Sequence, residues 1–253
     1  MASDWRPAGA EFLGTAWMVA IGTGSVAVGA SNLVVSISFG FAVTTAILGL
    51  RHLSGAHINP AVSIAFTVTG HLPVARLPGY VIAQIGGGLV GSALILVMFG
   101  PERLGPTVLA EDISMITGGV VEVGITLVLM ASILCIVALR DDSTPVVAGV
   151  VGATVAALAL GFGPLTGASM NPARTFGPNL LSGQGHVLFY TLATVSGALV
   201  SALAWNRRSV LLEDEFRGGG RDLRWSRTPD PVEQLPKGHG VADVSERDEV
   251  GLA

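Results

Sequence analysis

The feature that most constrains this chain is one phrase that occurs twice within apolar sequence. The first copy is Ser54-Gly55-Ala56-His57-Ile58-Asn59-Pro60-Ala61, and the second is Thr166-Gly167-Ala168-Ser169-Met170-Asn171-Pro172-Ala173, which Arg174 follows. Asn is a favoured N-cap and Pro fits the first turn of a helix, so each copy predicts the start of a helix. A repeat of this kind indicates two related halves.

The distribution of charge indicates which part of the chain lies in a membrane. Half of the residues are hydrophobic and 13% are charged, whereas soluble domains carry roughly a quarter. Residues 1–205 contain 14 charged side chains and residues 206–253 contain 18. We therefore predict a membrane domain over 1–205 and a charged, disordered tail over 206–253. No basic patch indicates a nucleic-acid partner.

The apolar runs predict the number of membrane spans. A helix of about 20 apolar residues crosses a bilayer. Six runs fit, at residues 8–28, 33–50, 77–100, 113–139, 146–163 and 187–205. Two stretches that begin at the Asn-Pro pairs, 60–69 and 172–181, are half that length. These are predicted to be re-entrant half-helices.

The two halves, about 8–100 and 112–205, repeat more than the phrase. Glu11 precedes Asn59 by 48 residues, and Glu122 precedes Asn171 by 49. Each half has three full spans, so the second half enters the membrane upside down. The predicted fold is an all-α membrane protein with six transmembrane helices and two re-entrant half-helices in an inverted repeat.

Basic residues predict the orientation in a cell membrane. With both termini in the cytoplasm, Arg103 is the only loop arginine of the membrane domain outside, and the residues inside are Arg6, Arg51, Arg76, Arg140, Arg207 and Arg208. The opposite orientation reverses this count. We therefore predict a multi-pass protein with cytoplasmic N- and C-termini.

The inverted repeat predicts what the two phrases do together. The half-helix N-termini meet at the midplane, where the amides of Asn59 and Asn171 face a solute between two positive helix ends. Glu11 and Glu122 are predicted to support the re-entrant loops. The backbone carbonyls predicted to line the path are those of Gly55, Ala56, His57, Ile58, Gly167, Ser169 and Met170. This describes a narrow path for small neutral molecules that excludes cations and protons.

Two Asn-Pro-Ala boxes at this spacing, the second followed by Arg174, resemble the aquaporin/aquaglyceroporin family (major intrinsic proteins). The resemblance covers residues 8–205. It implies the aquaporin-like fold, one pore per protomer and a homotetramer. It also implies an external selectivity filter at Phe39, Ala159, Ala168 and Arg174.

The filter positions leave the solute open. Strict water channels resemble Phe, His, a small residue and Arg, and Ala159 replaces the His, which implies a wider, less polar filter. Glycerol channels usually carry an aromatic at the position of Ala168 and an Asp at that of Thr175. The resemblance therefore implies passive passage of water and small uncharged solutes such as glycerol. The alternative is a glycerol or metalloid facilitator with low water permeability.

Two other classes remain as alternatives. Coupled secondary transporters also use inverted repeats and broken helices, but they need a titratable group at the midplane, where we expect only Asn59 and Asn171. A structural or adhesive membrane protein with a closed pore is the third hypothesis. The sequence contains no nucleotide-binding, metal-binding or nucleophile motif, so we expect no enzyme, no metal and no cofactor.

Overall fold

The computed structural model describes residues 5–140 and 143–217, with side chains as far as residue 208. These residues form helices and connecting loops, and no strand occurs among them. The eight α-helices are α1 (Arg6–Ala27), α2 (Asn32–Ser54), α3 (Pro60–Val68), α4 (Leu77–Phe99), α5 (Met115–Arg140), α6 (Thr144–Thr166), α7 (Pro172–Ser182) and α8 (Val187–Arg217). The predicted all-α fold is confirmed.

Five helical segments in the described residues are long and apolar enough to cross a membrane. They are Asn32–Ser54, Val74–Phe99, Met115–Arg140, Thr144–Thr166 and Val187–Arg208. Helix α1 has 22 residues, which is long enough, but Glu11 lowers its hydropathy. It packs along α2 and α4 with its Glu11 side chain fully buried. The chain is therefore a multi-pass membrane protein.

The two short helices begin where the Asn-Pro pairs predict. Asn59 and Asn171 are the N-caps of α3 and α7, and their side-chain oxygens accept hydrogen bonds from the backbone N–H groups two residues on. Pro60 and Pro172 occupy the first helical position. A backbone N–H at this position would have no acceptor within the helix, so proline costs no hydrogen bond there. With 9 and 11 residues, both helices are about half the length of a membrane span.

Helix α6 is longer than the sequence predicts, because it continues through Pro164 to Thr166. Proline has no N–H to donate to the carbonyl four residues earlier, which here belongs to Leu160. The Asn32 side chain donates to that carbonyl at 2.9 Å. A residue from α2 therefore satisfies the carbonyl that Pro164 leaves without its helical partner.

Helix α8 also runs past the predicted boundary at residue 205 and ends at Arg217. The chain divides into two units, Met1–Leu211 and Leu212–Ala253. Because α8 extends to Arg217, residues 206–217 are helical, whereas the sequence analysis predicts them to be disordered. The charged helix end adds three consecutive acidic residues from 213 to 215, which do not interrupt helix formation. Residues 218–253, the rest of the predicted tail, lie outside the described residues.

Glycines allow the helices to approach closely. A Cβ atom at Gly40 in α2 would lie 2.6 Å from the carbonyl oxygen of Gly152 in α6. A Cβ at Gly91 in α4 would lie 2.6 Å from the carbonyl oxygen of Ala16 in α1. Small residues at such positions are typical of helix contacts in membranes, where close packing replaces the hydrophobic effect.

Gly88 provides a test of this packing. A Cβ there would lie 2.5 Å from the backbone oxygen of Ala173 in α7, so Gly88→Ala is expected to destabilise the protein by about 1–3 kcal/mol. Thermal melting in detergent measures the change. The control is Gly49→Ala, because no atom lies within 4 Å of a Cβ at Gly49. Equal melting temperatures for the two variants would contradict the close packing of Gly88 against α7.

Candidate functional site

The two half-helices are tied to each other at their N-termini. Asn59 Nδ2 donates to the carbonyl of Met170 at 2.8 Å, and Asn171 Nδ2 donates to the carbonyl of Ile58 at 2.8 Å. The last carbonyl of each re-entrant loop thus accepts a bond from the asparagine of the other half. Residues that are 112 positions apart in sequence form one reciprocal unit, as the inverted repeat predicts.

These bonds use one N–H donor of each side-chain amide. An amide NH₂ carries two donors, and each asparagine uses one of them on the opposite loop. Asn171 Nδ2 also lies 3.8 Å from Met18 Sδ, which is a weak acceptor. The amide oxygens are occupied, since Asn59 Oδ1 accepts from Ala61 N and Asn171 Oδ1 from Ala173 N, both at 2.9 Å. The midplane therefore offers N–H donors near two positive helix ends.

The re-entrant loops have an unusual backbone. Ala56, Ile58, Ala168 and Met170 all have φ between 42° and 52°, in the left-handed region that side chains other than glycine rarely adopt. Such residues persist only where surrounding contacts hold them, and they concentrate at functional sites. The carboxylates of Glu11 and Glu122 provide these contacts.

Glu11 holds the first loop. Its Oε1 accepts hydrogen bonds from Ser54 Oγ at 2.7 Å and His57 N at 2.9 Å, and its Oε2 accepts from Ile58 N at 2.6 Å and Gln84 Nε2 at 2.8 Å. Four donors surround one buried carboxylate. Two of these donors are backbone N–H groups of the loop that contains the left-handed residues. Because these N–H groups point toward Glu11, the carbonyl groups are left to the opposite side of the loop.

Glu122 holds the second loop in the same way. Its Oε1 accepts from Thr166 Oγ1 at 2.7 Å and Ser169 N at 2.9 Å, and its Oε2 accepts from Met170 N at 3.1 Å. The side chain is fully buried. This contact pattern supports the predicted role of Glu11 and Glu122 in loop support.

Two tyrosines take part in the same arrangement, and the sequence analysis did not assign them this role. Tyr80 Oη donates to the carbonyl of Ser54 at 2.8 Å, and Tyr190 Oη donates to the carbonyl of Thr166 at 2.7 Å. These are the last residues of α2 and α6, whose carbonyls have no helical partner. Each tyrosine lies seven residues before a matching glycine, Gly87 or Gly197, so a longer comparison of the halves could have found the pair.

The side chains at the fourth position of each phrase contact the half-helix that follows. His57 Nδ1 lies 3.1 Å from Ser63 Oγ in α3, and the imidazole ring packs near Phe66. Ser169 Oγ lies 2.6 Å from Thr175 Oγ1 in α7. The contacts of His57 are therefore those of a histidine that packs beside the first half-helix.

A cavity of about 360 Å³ joins the midplane to the predicted filter. All four filter candidates line it, namely Phe39, Ala159, Ala168 and Arg174. Other predicted site residues in its lining are Asn59, Asn171, His57, Ile58, Gly167, Ser169 and Met170. The structure therefore brings together residues from α2, α3, α6, α7 and both loops.

A second cavity of about 50 Å³ continues the same wall. It shares His57 and Ile58 with the larger cavity and adds Gly55 and Ala56, which completes the set of candidate carbonyl residues. Its other lining residues are Arg51 and a set of apolar side chains, namely Val43, Ile47, Val62, Phe66, Ile133, Val137, Val147 and Val151.

Four predicted motif residues lie outside both cavities. Pro60, Ala61, Pro172 and Ala173 are buried in helix contacts, and Ala173 packs against Gly88 of α4. In each Asn-Pro-Ala box, the asparagine therefore faces the cavity, the proline begins the half-helix, and the alanine packs against neighbouring helices. This division follows from helix geometry, which places successive residues on different faces.

Among the described residues, Arg174 is the one charged side chain in the lining of the larger cavity. Its Cζ lies 4.9 Å from the ring centroid of Phe39, a cation–π distance. On another side Arg174 Nη1 donates to Thr107 Oγ1 in the loop between α4 and α5. The guanidinium is thus placed between an aromatic ring and a loop hydroxyl, opposite the small side chains of Ala159 and Ala168.

Comparisons with known proteins agree with this architecture. The family described as Major intrinsic protein (MIP) matches residues 1–205. Aquaporin NIP1-1 of Zea mays is 37% identical over 205 residues, which cover 78% of this chain and 72% of that protein. Glycerol uptake facilitator protein-like 6 of Lactiplantibacillus plantarum is 35% identical over 202 residues, 76% of this chain and 93% of that protein.

A solved structure shows the same fold. The aquaglyceroporin from Plasmodium falciparum superposes with a TM-score of 0.74, at 24% identity, over 83% of this chain and 98% of that one. At this identity the likeness concerns the fold alone. The arrangement of long helices and half-helices described above is therefore the aquaporin fold.

Proposed function

The chain belongs to the major intrinsic protein family, whose members are membrane channels for water and small solutes, and we propose that it passes water and small uncharged solutes, glycerol first, down their gradients. The observation that carries this proposal is the continuous cavity from the asparagine pair to Arg174. Its lining includes the two asparagines, the loop residues whose carbonyls are predicted to face the path, and mainly apolar side chains elsewhere. A neutral molecule with hydroxyl groups fits this lining.

The size of the opening favours glycerol as a solute beside water. Ala159 and Ala168 both line the cavity beside Arg174 and Phe39. Two methyl-sized side chains leave room that a histidine or a second aromatic would fill. The alternative within this class, a glycerol or metalloid facilitator with low water permeability, predicts the same opening and differs only in the rate for water.

Exclusion of ions is part of the proposal. No Asp or Glu lines the cavity within the described residues, and the carboxylates of Glu11 and Glu122 are engaged by the loops. A buried arginine and two helix N-termini make the path positive, which opposes cations. Asparagine donors at the midplane orient a passing water molecule and interrupt a proton-conducting chain of waters.

We propose further that the protein is a homotetramer in the cell membrane with both termini in the cytoplasm. The family resemblance supports the assembly, and the distribution of loop arginines supports the orientation. Large apolar side chains on the outer surface, including Leu33, Ile37 and Phe41 of α2, are exposed in the single chain. In the membrane this surface contacts lipid and neighbouring protomers.

Replacing Ala159 with histidine tests the proposed opening. The larger polar ring is expected to lower the ratio of glycerol to water permeability by about tenfold, because it obstructs the wider solute more than water. Stopped-flow light scattering on reconstituted vesicles measures both rates. The control is Ala157→His, on the exposed face of the same helix. An unchanged ratio in Ala159→His would contradict the place of Ala159 in the filter.

A further inference from the structure

The loop between α4 and α5 contains a residue that is buried as deeply as the core. Thr107 has no exposed surface. Its backbone N–H donates to Asn179 Oδ1 at 2.7 Å, and its carbonyl accepts from Asn179 Nδ2 at 2.8 Å. One side-chain amide of α7 therefore satisfies both backbone groups of one loop residue. Such a two-point contact fixes the position and the rotation of the loop at Thr107.

The hydroxyl of Thr107 points toward the proposed filter. It accepts a hydrogen bond from Arg174 Nη1 and another from Thr175 Oγ1, the latter at 3.2 Å. A bond from a guanidinium to a neutral oxygen is charge-assisted and stronger than one between neutral groups. Thr107 itself does not line the cavity, whereas its neighbours Pro106 and Val108 do. It therefore acts on the path through Arg174.

Thr107 also packs closely against two glycines. A Cβ atom at Gly167 would lie 2.8 Å from Thr107 Cγ2, and one at Gly185 would lie 2.6 Å from the carbonyl oxygen of Thr107. Three residues further along the loop, Ala110 N donates to the carbonyl of Leu165 at 2.9 Å. The loop is thus held against the second re-entrant segment and against the chain that follows α7.

We propose that Thr107 and Asn179 are a positioning pair that sets where the guanidinium of Arg174 lies, and thereby the relative passage of water and larger neutral solutes. The inference rests on the proposed function, since it takes Arg174 as part of the constriction. An arginine side chain is long and rotatable. Thr107 and the ring of Phe39 restrict its head group from two directions.

The first half of the chain has no matching device. The residue three positions after Asn59 is Val62, where the second half has Arg174, and the residue eight positions after is Thr67, where the second half has Asn179. The positioning pair therefore belongs to one end of the path only. This matches a filter that is present at one mouth of an otherwise symmetric structure.

Thr107→Val tests the pair, because valine keeps the shape and removes the hydroxyl. We expect the glycerol-to-water permeability ratio to change about threefold or more, since Arg174 loses a hydrogen bond that holds it in place. Thr107→Ser, which restores the hydroxyl, is expected to restore the wild-type ratio. The control is Thr117→Val, the same change at an exposed threonine of α5. If Thr107→Val does not fold, Thr107→Ala makes the same test without a second branch at Cβ.

A wild-type ratio in folded Thr107→Val would overturn the inference. An equal shift in Thr107→Val and Thr107→Ser would also overturn it, because the ratio would then change whether or not the hydroxyl is present. In an Arg174→Leu background, Thr107→Val should change the ratio no further, as expected for residues that act through one another. A further shift in that background would count against the pair.

The same variants separate this inference from the proposed function. If Arg174→Leu alone leaves the ratio unchanged, the filter assignment fails and the positioning pair fails with it. If Arg174→Leu shifts the ratio and Thr107→Val does not, only the positioning pair fails.

Discussion

Glu122→Leu is expected to prevent assembly of the second half of the path. The substitution leaves Ser169 N, Met170 N and Thr166 Oγ1 buried without the acceptor that they share. Each unsatisfied buried donor costs about 1–3 kcal/mol. The total, on the order of 3–9 kcal/mol, is comparable to the whole stability of a typical domain. The left-handed backbone at Ala168 and Met170 would then lose what holds it.

Recovery of monodisperse protein in detergent, its melting temperature and the water permeability of vesicles measure this effect. Glu122→Gln should be intermediate, because its amide keeps one oxygen acceptor but turns an NH₂ group toward donors. Glu102→Leu is the matched control, since Glu102 is exposed in the turn after α4. A Glu122→Leu protein that melts and conducts like wild type would refute the support role.

Arg174→Leu is expected to have the largest effect on what the path excludes. Leucine occupies part of the same volume but removes the one charged side chain that the described residues contribute to the lining of the larger cavity. Cation and proton leak should rise by an order of magnitude or more, since a unit charge at about 4 Å in a partly buried site contributes several kcal/mol at an effective dielectric constant near 20. Glycerol permeability should rise as well, because the opening beside Phe39 becomes wider.

A pH-sensitive dye inside vesicles measures proton entry, and planar bilayers measure cation conductance. Arg103→Leu removes a positive charge from an exposed position in the same loop as Thr107 and serves as the control. Equal proton and cation leak in the two variants would show that Arg174 does not exclude these ions.

Much of this structure could be predicted because the decisive residues repeat in sequence. The two Asn-Pro pairs indicate helix starts through N-cap and first-turn chemistry, and both half-helices begin there. Glu11 and Glu122 stand out as carboxylates in apolar helices, and such groups require buried partners. Local chemistry and symmetry were sufficient for these features.

Other features depend on partners that are far apart in the chain. Pro164 indicates a helix end, and α6 continues because Asn32 donates to the carbonyl of Leu160, which lies 128 residues after Asn32. The bond between Thr107 and Arg174 joins a loop without a motif to the second half-helix across 67 residues. The reciprocal bonds from Asn59 and Asn171 to opposite carbonyls also arise only when the halves meet. Periodicity and spacing along the chain carry no information on such contacts.

The flux through wild-type protein in reconstituted vesicles tests the proposed channel function most directly. Stopped-flow light scattering should show water and glycerol permeabilities well above those of empty vesicles, and both should be unchanged by an imposed proton or sodium gradient. Permeabilities equal to those of empty vesicles would contradict a channel and favour a closed structural protein. A flux that follows the proton or sodium gradient would contradict passive passage and favour a coupled transporter.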